Sequence, residues 1–119
     1  ICFLGVTFKA NTDDMRDSSS LTMIPELSKR GANISYYDPT GIKKEFNKLK
    51  NVNFAKSIST CLEKADLIII HTEWNDFKSL DFKKINKNKK TTIFDMRNLY
   101  LPEKMIKKKI KYLSVGRGT

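Results

Sequence analysis

The residues best suited to chemistry lie in one connecting stretch, residues 8–20, which holds an aromatic ring, two cations, three aspartates and three serines. The cations Lys9 and Arg16, followed by backbone N–H groups at a helix start, suit a phosphate group. The three aspartates, Asp13, Asp14 and Asp17, would suit a hard metal ion. Because Arg16 competes for their carboxylates, we predict no metal site. Whether Arg16 binds a ligand or only stiffens the loop by pairing with them stays open at this point.

The patterns on either side of this stretch make it a strand-to-helix connection. Residues 1–7 form an apolar run typical of a buried strand, and helical periodicity begins at Leu21. Ser18–Ser20 supply N-cap hydroxyls, and Gly31 supplies a C-cap. Pro25 lies inside the periodic run, which predicts a helix that starts late or is kinked.

The rest of the chain alternates between strand and helix patterns. Further strands are predicted at 33–38, 52–55, 67–70, 91–95 and 111–115. Helices are predicted on the apolar faces Ile42/Phe46/Leu49 and Ile58/Cys61/Leu62/Ala65 and over 102–108, and a further amphipathic run contains Phe77, Leu80 and Ile85. The strand 67–70 is continuously apolar, which is typical of a central strand covered on both faces. The alternation predicts a single α/β domain with a doubly wound, mostly parallel, Rossmann-like sheet of about six strands. If the strands follow the usual order of such sheets, that order is 3-2-1-4-5-6.

That strand order brings together the carboxyl ends of strands one, four and five, where ligands bind in such sheets. We therefore expect one crevice lined by Lys9, Arg16, Trp74 and Arg97. Its cations favour a phosphate-bearing ligand, of which a nucleotide fits best. A dinucleotide-binding first loop is excluded because no glycine lies between Gly5 and Gly31. Asp38, at the end of strand two, is expected to cap the turn before Pro39.

Other candidate groups carry no catalytic assignment. His71 is the only histidine and has no nucleophile beside it in sequence, and Trp74 is expected to pack rather than to stack on a base. Cys2 and Cys61 have neither metal-ligand spacing nor the density of a disulfide framework, which fits a reducing cytoplasm. The sequence therefore predicts binding, and no catalytic residue.

Composition limits the partners. The 119 residues carry a net charge of +10, which attracts anions of several kinds. The lysine-rich segments 83–90 and 104–111 are interleaved with apolar rather than aromatic residues, so we interpret them as solvated faces and not as a nucleic-acid groove. No apolar run is long enough to cross a bilayer. The chain begins directly in a strand, which we expect of a segment of a longer protein.

Four motifs in order resemble the UDP-glucose/GDP-mannose dehydrogenase family, specifically its carboxy-terminal, UDP-binding domain. They are GVTFKANTDDMRDSSSL at 5–21, GA at 31–32 together with YDP at 37–39, TEW at 72–74 and DMRN at 95–98. The resemblance extends over essentially the whole chain. It implies a protein in which an amino-terminal NAD-binding domain and a central dimerisation domain, both absent from residues 1–119, precede this domain.

The resemblance also implies an activity and residue roles. The family carries out an NAD-dependent, two-step oxidation of a sugar C6 alcohol to a carboxylate through a thiohemiacetal on a cysteine, here UDP-glucose to UDP-glucuronate. Phe8, Lys9 and Arg97 match residues that contact the UDP-sugar, and Arg16 matches a residue that reaches NAD. The catalytic cysteine motif is absent, and the context of neither cysteine matches it. We therefore expect this chain to bind but not to catalyse, as part of a homodimeric enzyme.

Three alternatives remain open from the sequence. The sugar nucleotide is a UDP-N-acetylhexosamine or GDP-mannose in other members of the family, and TDD at 12–14 with TEW at 72–74 favours UDP-glucose. A free-standing nucleotide-binding module is the second alternative, and nucleic-acid binding driven by net charge is the third.

Overall fold

The computed structural model describes residues 1–63, 65–80, 91–107 and 110–115. Within them lies one six-stranded sheet with the order β3-β2-β1-β4-β5-β6, in which every neighbouring pair is parallel. The strands are β1 (Cys2–Leu4), β2 (Ile34–Tyr37), β3 (Val52–Phe54), β4 (Leu67–Ile70), β5 (Thr92–Asp95) and β6 (Lys111–Ser114). The predicted fold class and strand order are confirmed.

Within the described residues, three helices and two short 3₁₀ turns lie between the strands. The helices are α1 (Ser20–Lys29), α2 (Ile58–Leu62) and α3 (Pro102–Lys107), and the 3₁₀ turns are Lys44–Phe46 and Asn75–Phe77. The predicted amphipathic run with Phe77, Leu80 and Ile85 begins at the second of these turns. Its Ile85, the lysines of 83–90 and Lys108 and Lys109 lie outside the described residues.

Helix α1 has sequence signals at both ends. Gly31 has φ +93°, its N–H bonds to the Ser28 carbonyl and the Ala32 N–H bonds to the Leu27 carbonyl, which is a Schellman C-cap. At the other end Ser19 makes no side-chain capping bond, whereas the Ser18 hydroxyl accepts from the Ser20 N–H at 3.3 Å. Pro25 lies inside the helix without delaying its start.

The predicted second helix is wrong, because only the turn Lys44–Phe46 forms. Lys43 before it is extended, and its N–H donates to the Tyr36 hydroxyl at 2.8 Å, so helical geometry cannot begin earlier. Phe46 is buried as expected, whereas Ile42 is 62% exposed. By contrast α2 begins as predicted, with the Ser57 hydroxyl accepting from the Thr60 N–H.

The core forms two layers, one on each face of the sheet. One layer, under α2 and α3, contains Cys2, Leu4, Ile70, Phe77 and Met105, and the other, under α1, contains Phe3, Val6, Ile24, Tyr36 and Phe46. Successive residues of β1 alternate between the layers because strand side chains point to opposite faces. β4 is buried on both faces, which agrees with its continuously apolar sequence.

Gly5 follows β1 and allows the exits of β1 and β4 to approach each other closely. Its φ is +78°, and an added Cβ would lie 2.5 Å from the Thr72 Cβ, whereas the Cβ of an alanine at Gly31, with φ +93°, would meet nothing within 4 Å. We expect Gly31→Ala to cost about 1 kcal/mol of unfolding free energy through its left-handed backbone alone. Gly5→Ala should cost at least about 2 kcal/mol more, because Thr72 must also move.

Urea denaturation of the two variants measures this difference. Equal losses would show that the approach of Gly5 to Thr72 does not constrain the fold.

Candidate functional site

The Arg97 side chain joins the exits of β1, β4 and β5 at the carboxyl edge of the sheet. Arg97 follows β5, its Nε donates to the His71 carbonyl after β4 at 2.9 Å, and its Nη2 donates to the Phe8 carbonyl after β1 at 2.9 Å. The three exits that strand order predicted to meet are therefore bound together by one guanidinium.

A buried carboxylate builds the turn that carries Arg97. Oδ1 of Asp95 accepts from the Arg97 N–H at 3.0 Å, and Oδ2 accepts from the N–H groups of Leu99 and Tyr100 at 2.7 and 3.1 Å and from the Tyr112 hydroxyl at 2.6 Å. Asp95 is fully buried, and a buried carboxylate is stable only when its oxygens are hydrogen-bonded in this way. These hydrogen bonds of Asp95 fix the backbone from which the Arg97 side chain extends.

A second buried carboxylate holds the exit of β1. Oδ2 of Asp38 accepts from the Val6 N–H at 2.9 Å, while its Oδ1 accepts from the N–H and hydroxyl of Thr40 at 2.9 and 2.6 Å. The predicted capping of the turn at Pro39 is confirmed. Asp38 also ties that turn to the first loop.

The first loop closes on itself. The Phe8 N–H donates to the Asp14 carbonyl at 2.9 Å, and the Thr7 hydroxyl donates to the Lys9 carbonyl at 2.9 Å. Asn11 sits in the left-handed region at φ 64°, a conformation that asparagine tolerates better than most residues. This closure presents Lys9 and Asn11 at the tip of the loop, above the strand ends.

A cleft of about 510 Å³ opens at this edge between the three exits. It is lined by Lys9, Ala10, Asn11, Glu73, Lys78, Arg97, Asn98 and Leu99. The structure therefore brings Lys9 and Arg97 together, as strand order predicted. Phe8 adjoins them through its carbonyl bond to Arg97, and the residue is 42% exposed.

Two residues expected in this crevice lie elsewhere. Trp74 is only 8% exposed and belongs to the core layer under α2 and α3, which confirms the prediction that it packs. Arg16 lines a separate hollow of about 340 Å³ with Asp13, Asp14, Met15, Leu21 and Glu45. The predicted single crevice is wrong in this respect, because the loop turns between Lys9 and Arg16 and faces them to different sides.

Arg16 forms a bidentate pair with Asp14. Its Nε and Nη2 lie 3.1 and 3.0 Å from the two carboxylate oxygens, and its N–H also donates to Oδ1. These hydrogen bonds lower the pKa of Asp14 and raise that of Arg16. The Arg16 side chain is nevertheless 88% exposed, so the pair orients the guanidinium without covering it.

His71 has a partner that its sequence neighbours did not indicate. It is buried, its Nε2 lies 2.8 Å from the Ser19 hydroxyl and its Nδ1 lies 3.0 Å from Thr72 Oγ1. Thr72 donates its own proton to the Thr7 carbonyl, so we assign the ring proton to Nδ1, and Ser19 donates to Nε2. Burial and the Arg97 charge lower the His71 pKa to about 4. The neutral ring joins the start of α1 to the β4 exit.

The sequence reasoning included Asn11, Glu73 and Asn98 in its motifs without assigning them to the crevice, and it did not single out Lys78 or Leu99. Each of these five residues lies within four positions of one that was assigned, but only the turn geometry decides which side chains face the cleft. Among the described residues no group of three or more metal-ligating side chains comes together. In the same part of the chain no helix has both the length and the apolarity to cross a membrane.

The chain matches one known protein family over most of its length. Residues 2–102 match the UDP-glucose/GDP-mannose dehydrogenase family, UDP binding domain. The chain belongs to this family. It is 37% identical over 118 residues to the UDP-glucose 6-dehydrogenase of Rhizobium meliloti (strain 1021), an alignment that covers 98% of the chain and 27% of that protein. The chain thus spans about a quarter of the length of this relative.

Solved structures of similar proteins share the fold. The UDP-D-ManNAc dehydrogenase of Pyrococcus horikoshii aligns with a TM-score of 0.75 and 27% identity over 98% of the chain and 25% of that protein. A UDP-glucose dehydrogenase of Pyrobaculum islandicum aligns with a TM-score of 0.71 and 26% identity over 94% of the chain and 24% of that protein. The sheet described here is therefore that of one domain in these larger dehydrogenases.

His71 generates a prediction about acid stability. Its folded pKa of about 4 lies below the ordinary value of 6.5, so the unfolded chain takes up a proton first as the pH falls. The contribution to stability is complete above pH 6.5 and is lost between pH 6.5 and 4. We expect unfolding free energy to fall by about 2 kcal/mol from pH 7 to pH 5 through this residue.

Urea denaturation at the two pH values measures the fall. The His71→Gln variant should lose most of it, whereas Ser19→Ala, which leaves the histidine in place, should retain it. An unchanged pH dependence in the glutamine variant would assign the fall to other groups.

Proposed function

We propose that this chain is the UDP-sugar-binding domain of an NAD-dependent UDP-glucose 6-dehydrogenase, which oxidises UDP-glucose to UDP-glucuronate. The observation that carries the proposal is the cleft shared by Lys9 and Arg97 at the carboxyl ends of β1 and β4. At these strands the sheet order reverses, and open α/β sheets bind their ligands at such a point.

The charges of the cleft support a phosphate-bearing ligand. Lys9 forms no ion pair with any carboxylate in the described part of the chain, so its charge is available to a ligand. Arg97 spends Nε and Nη2 on backbone carbonyls and keeps Nη1 for a further bond. An exposed cation held in place is well suited to a phosphate oxygen.

Phe8 adds an apolar surface next to these cations. Phe8 is 42% exposed, so a ligand that packs on its ring removes apolar surface from solvent, and aromatic burial contributes strongly to binding. In the proposed complex Phe8 packs on the nucleotide sugar, while Lys9 and Arg97 bind its charged and polar groups.

Arg16 is proposed to contact NAD from the separate hollow. The Asp14 pair leaves Nη1 free and the guanidinium exposed, which fits a cation that reaches a phosphate on a neighbouring domain. NAD, when bound, supplies the hydride acceptor. The glycine-rich loop that would hold most of it is absent from residues 1–119, so this chain contributes one edge contact.

The oxidation itself is assigned to the rest of the enzyme. Cys2 and Cys61 are buried side by side in the core, and burial raises the pKa of the Cys2 thiol well above its ordinary value. Buried thiols of this kind are poor nucleophiles. The proposed protein has an NAD-binding domain and a central dimerisation domain in addition to this one, and it acts as a cytoplasmic homodimer.

Two other functions differ from this proposal in their ligand or their context. The likeness to a UDP-D-ManNAc dehydrogenase favours an N-acetylated UDP-sugar as the second candidate substrate, and GDP-mannose is a further one within the family description. A free-standing nucleotide-binding module would keep the cleft but would have no use for Arg16.

Calorimetry of the 119-residue chain with UDP, GDP and NAD separates these candidates. UDP should bind more tightly than GDP, and NAD should bind weakly or not at all. Lys9→Gln should weaken UDP binding by roughly 1.5 kcal/mol, about tenfold, as the loss of one charge-assisted contact. Arg16→Gln, the matched loss of a cation on the other side of the loop, should leave UDP affinity unchanged.

Activity supplies an independent test. We expect no NADH, measured by absorbance, from this chain with UDP-glucose and NAD, because no reactive cysteine is present. In the dehydrogenase that carries the domain, Lys9→Gln should raise KM for UDP-glucose and Arg16→Gln should raise KM for NAD. NADH formation by the 119 residues alone would refute the division of labour proposed here.

A further inference from the structure

The cleft contains a cation that neither the motifs nor the family match assigns to a role, and this inference rests on the proposed function. Lys78 and Glu73 line the cleft from the exit of β4, whereas Lys9 lines it from the exit of β1. No carboxylate in the described ranges pairs with Lys78, since the ion pairs found there are Arg16–Asp14 and Arg30–Glu26. An unpaired lysine in a cleft raises the local concentration of anions.

The backbone that carries Lys78 is anchored on both sides of the cleft. Phe77 before it is fully buried, its carbonyl accepts from the Tyr100 hydroxyl beyond β5, and its N–H donates to the Trp74 carbonyl. The Lys78 N–H completes the turn by donating to the Asn75 carbonyl at 3.0 Å. The backbone of Lys78 is therefore already ordered, so ligand binding costs conformational entropy only in the Lys78 side chain.

The hydrogen bonds of Arg97 limit what this residue can offer a ligand. Nε and Nη2 of Arg97 are directed to the His71 and Phe8 carbonyls, which occupies two of its five N–H donors. Lys9 and Lys78 each present an entire ammonium group. Three cations and the Glu73 carboxylate leave the cleft with a formal charge of +2, which favours an anionic ligand.

We infer that Lys78 is a binding residue for the diphosphate, with Lys9 and Lys78 acting from the exits of β1 and β4 and Arg97 serving mainly as the brace between them. The ligand class that this arrangement selects is a nucleoside diphosphate in preference to a monophosphate. A monophosphate engages one ammonium fully, whereas a diphosphate reaches both.

The test compares UDP with UMP by calorimetry on the 119-residue chain. Lys78→Gln should weaken UDP binding about tenfold, the order of one charge-assisted hydrogen bond, and should weaken UMP binding less than about threefold. Lys78→Arg should retain most of the UDP affinity, because it keeps the charge. Glu73→Gln should strengthen UDP binding two- to fivefold, since it removes the negative charge from the cleft.

Lys29→Gln is the matched control. Lys29 is the exposed last residue of α1, and because α1 starts at the carboxyl edge of the sheet it ends at the opposite edge. This variant removes the same charge from the chain without touching the cleft, so its UDP affinity should equal that of the parent.

The outcomes separate the inference from the proposed function. Equal losses in Lys78→Gln and Lys29→Gln, or equal losses of UDP and UMP in Lys78→Gln, would overturn the role of Lys78 and leave UDP binding intact. No binding of UDP to the parent chain, with circular dichroism showing it folded, would overturn the proposed function and this inference with it.

Discussion

The site depends on the guanidinium of Arg97 lying across three strand exits. Parallel strands that end at one edge of a sheet leave loops with unpaired carbonyls, and those of Phe8 and His71 are satisfied by one side chain from the third exit. Since Asp95 holds the backbone of that exit with a fully buried carboxylate, the Arg97 side chain extends from a fixed backbone. Removing either group would release the loops that form the cleft.

The two sides of the first loop differ in whether the cation on that side is paired with a carboxylate of the loop. On one side Arg16 is matched to Asp14 by a bidentate pair, so the loop stabilises its own cation and presents it in a fixed direction. On the other side Lys9, Lys78 and Arg97 line a cleft that contains one carboxylate. An anion lowers the electrostatic energy of such a group of cations, which supports this side as the proposed ligand site.

His71 shows how a polar side chain can be structural in a site. Buried and neutral, it accepts from Ser19 and donates to Thr72, and so it connects the start of α1 to the exit of β4 beneath the cleft. A histidine hydrogen-bonded to an exposed serine has the outline of a nucleophile and its base. The low pKa of about 4 makes it a weak base, and its role in this site is to position the loop.

The sequence by itself determined the class of fold and, given the usual strand order of such sheets, the edge at which we propose that a ligand binds. Alternation of apolar runs with helical periodicity depends on local spacing, and the short run of aliphatic residues in β4 is typical of a strand buried on both faces. The motifs that carry the family resemblance, from the loop at residues 5–21 to Arg97, are also local, so the expectation of a UDP-binding domain needed no coordinates.

Tertiary structure alone decided which side chains share the cleft. Arg16 and Lys9 are seven positions apart on one loop, and no periodicity predicts how an irregular loop turns, so their separation into two hollows depends on the closure of the loop by Phe8 and Asp14. Lys78 carries no motif, and only the three-dimensional structure shows that it lines the cleft. Contacts between distant exits depend on hydrogen bonds such as those of Arg97, which a linear pattern does not encode.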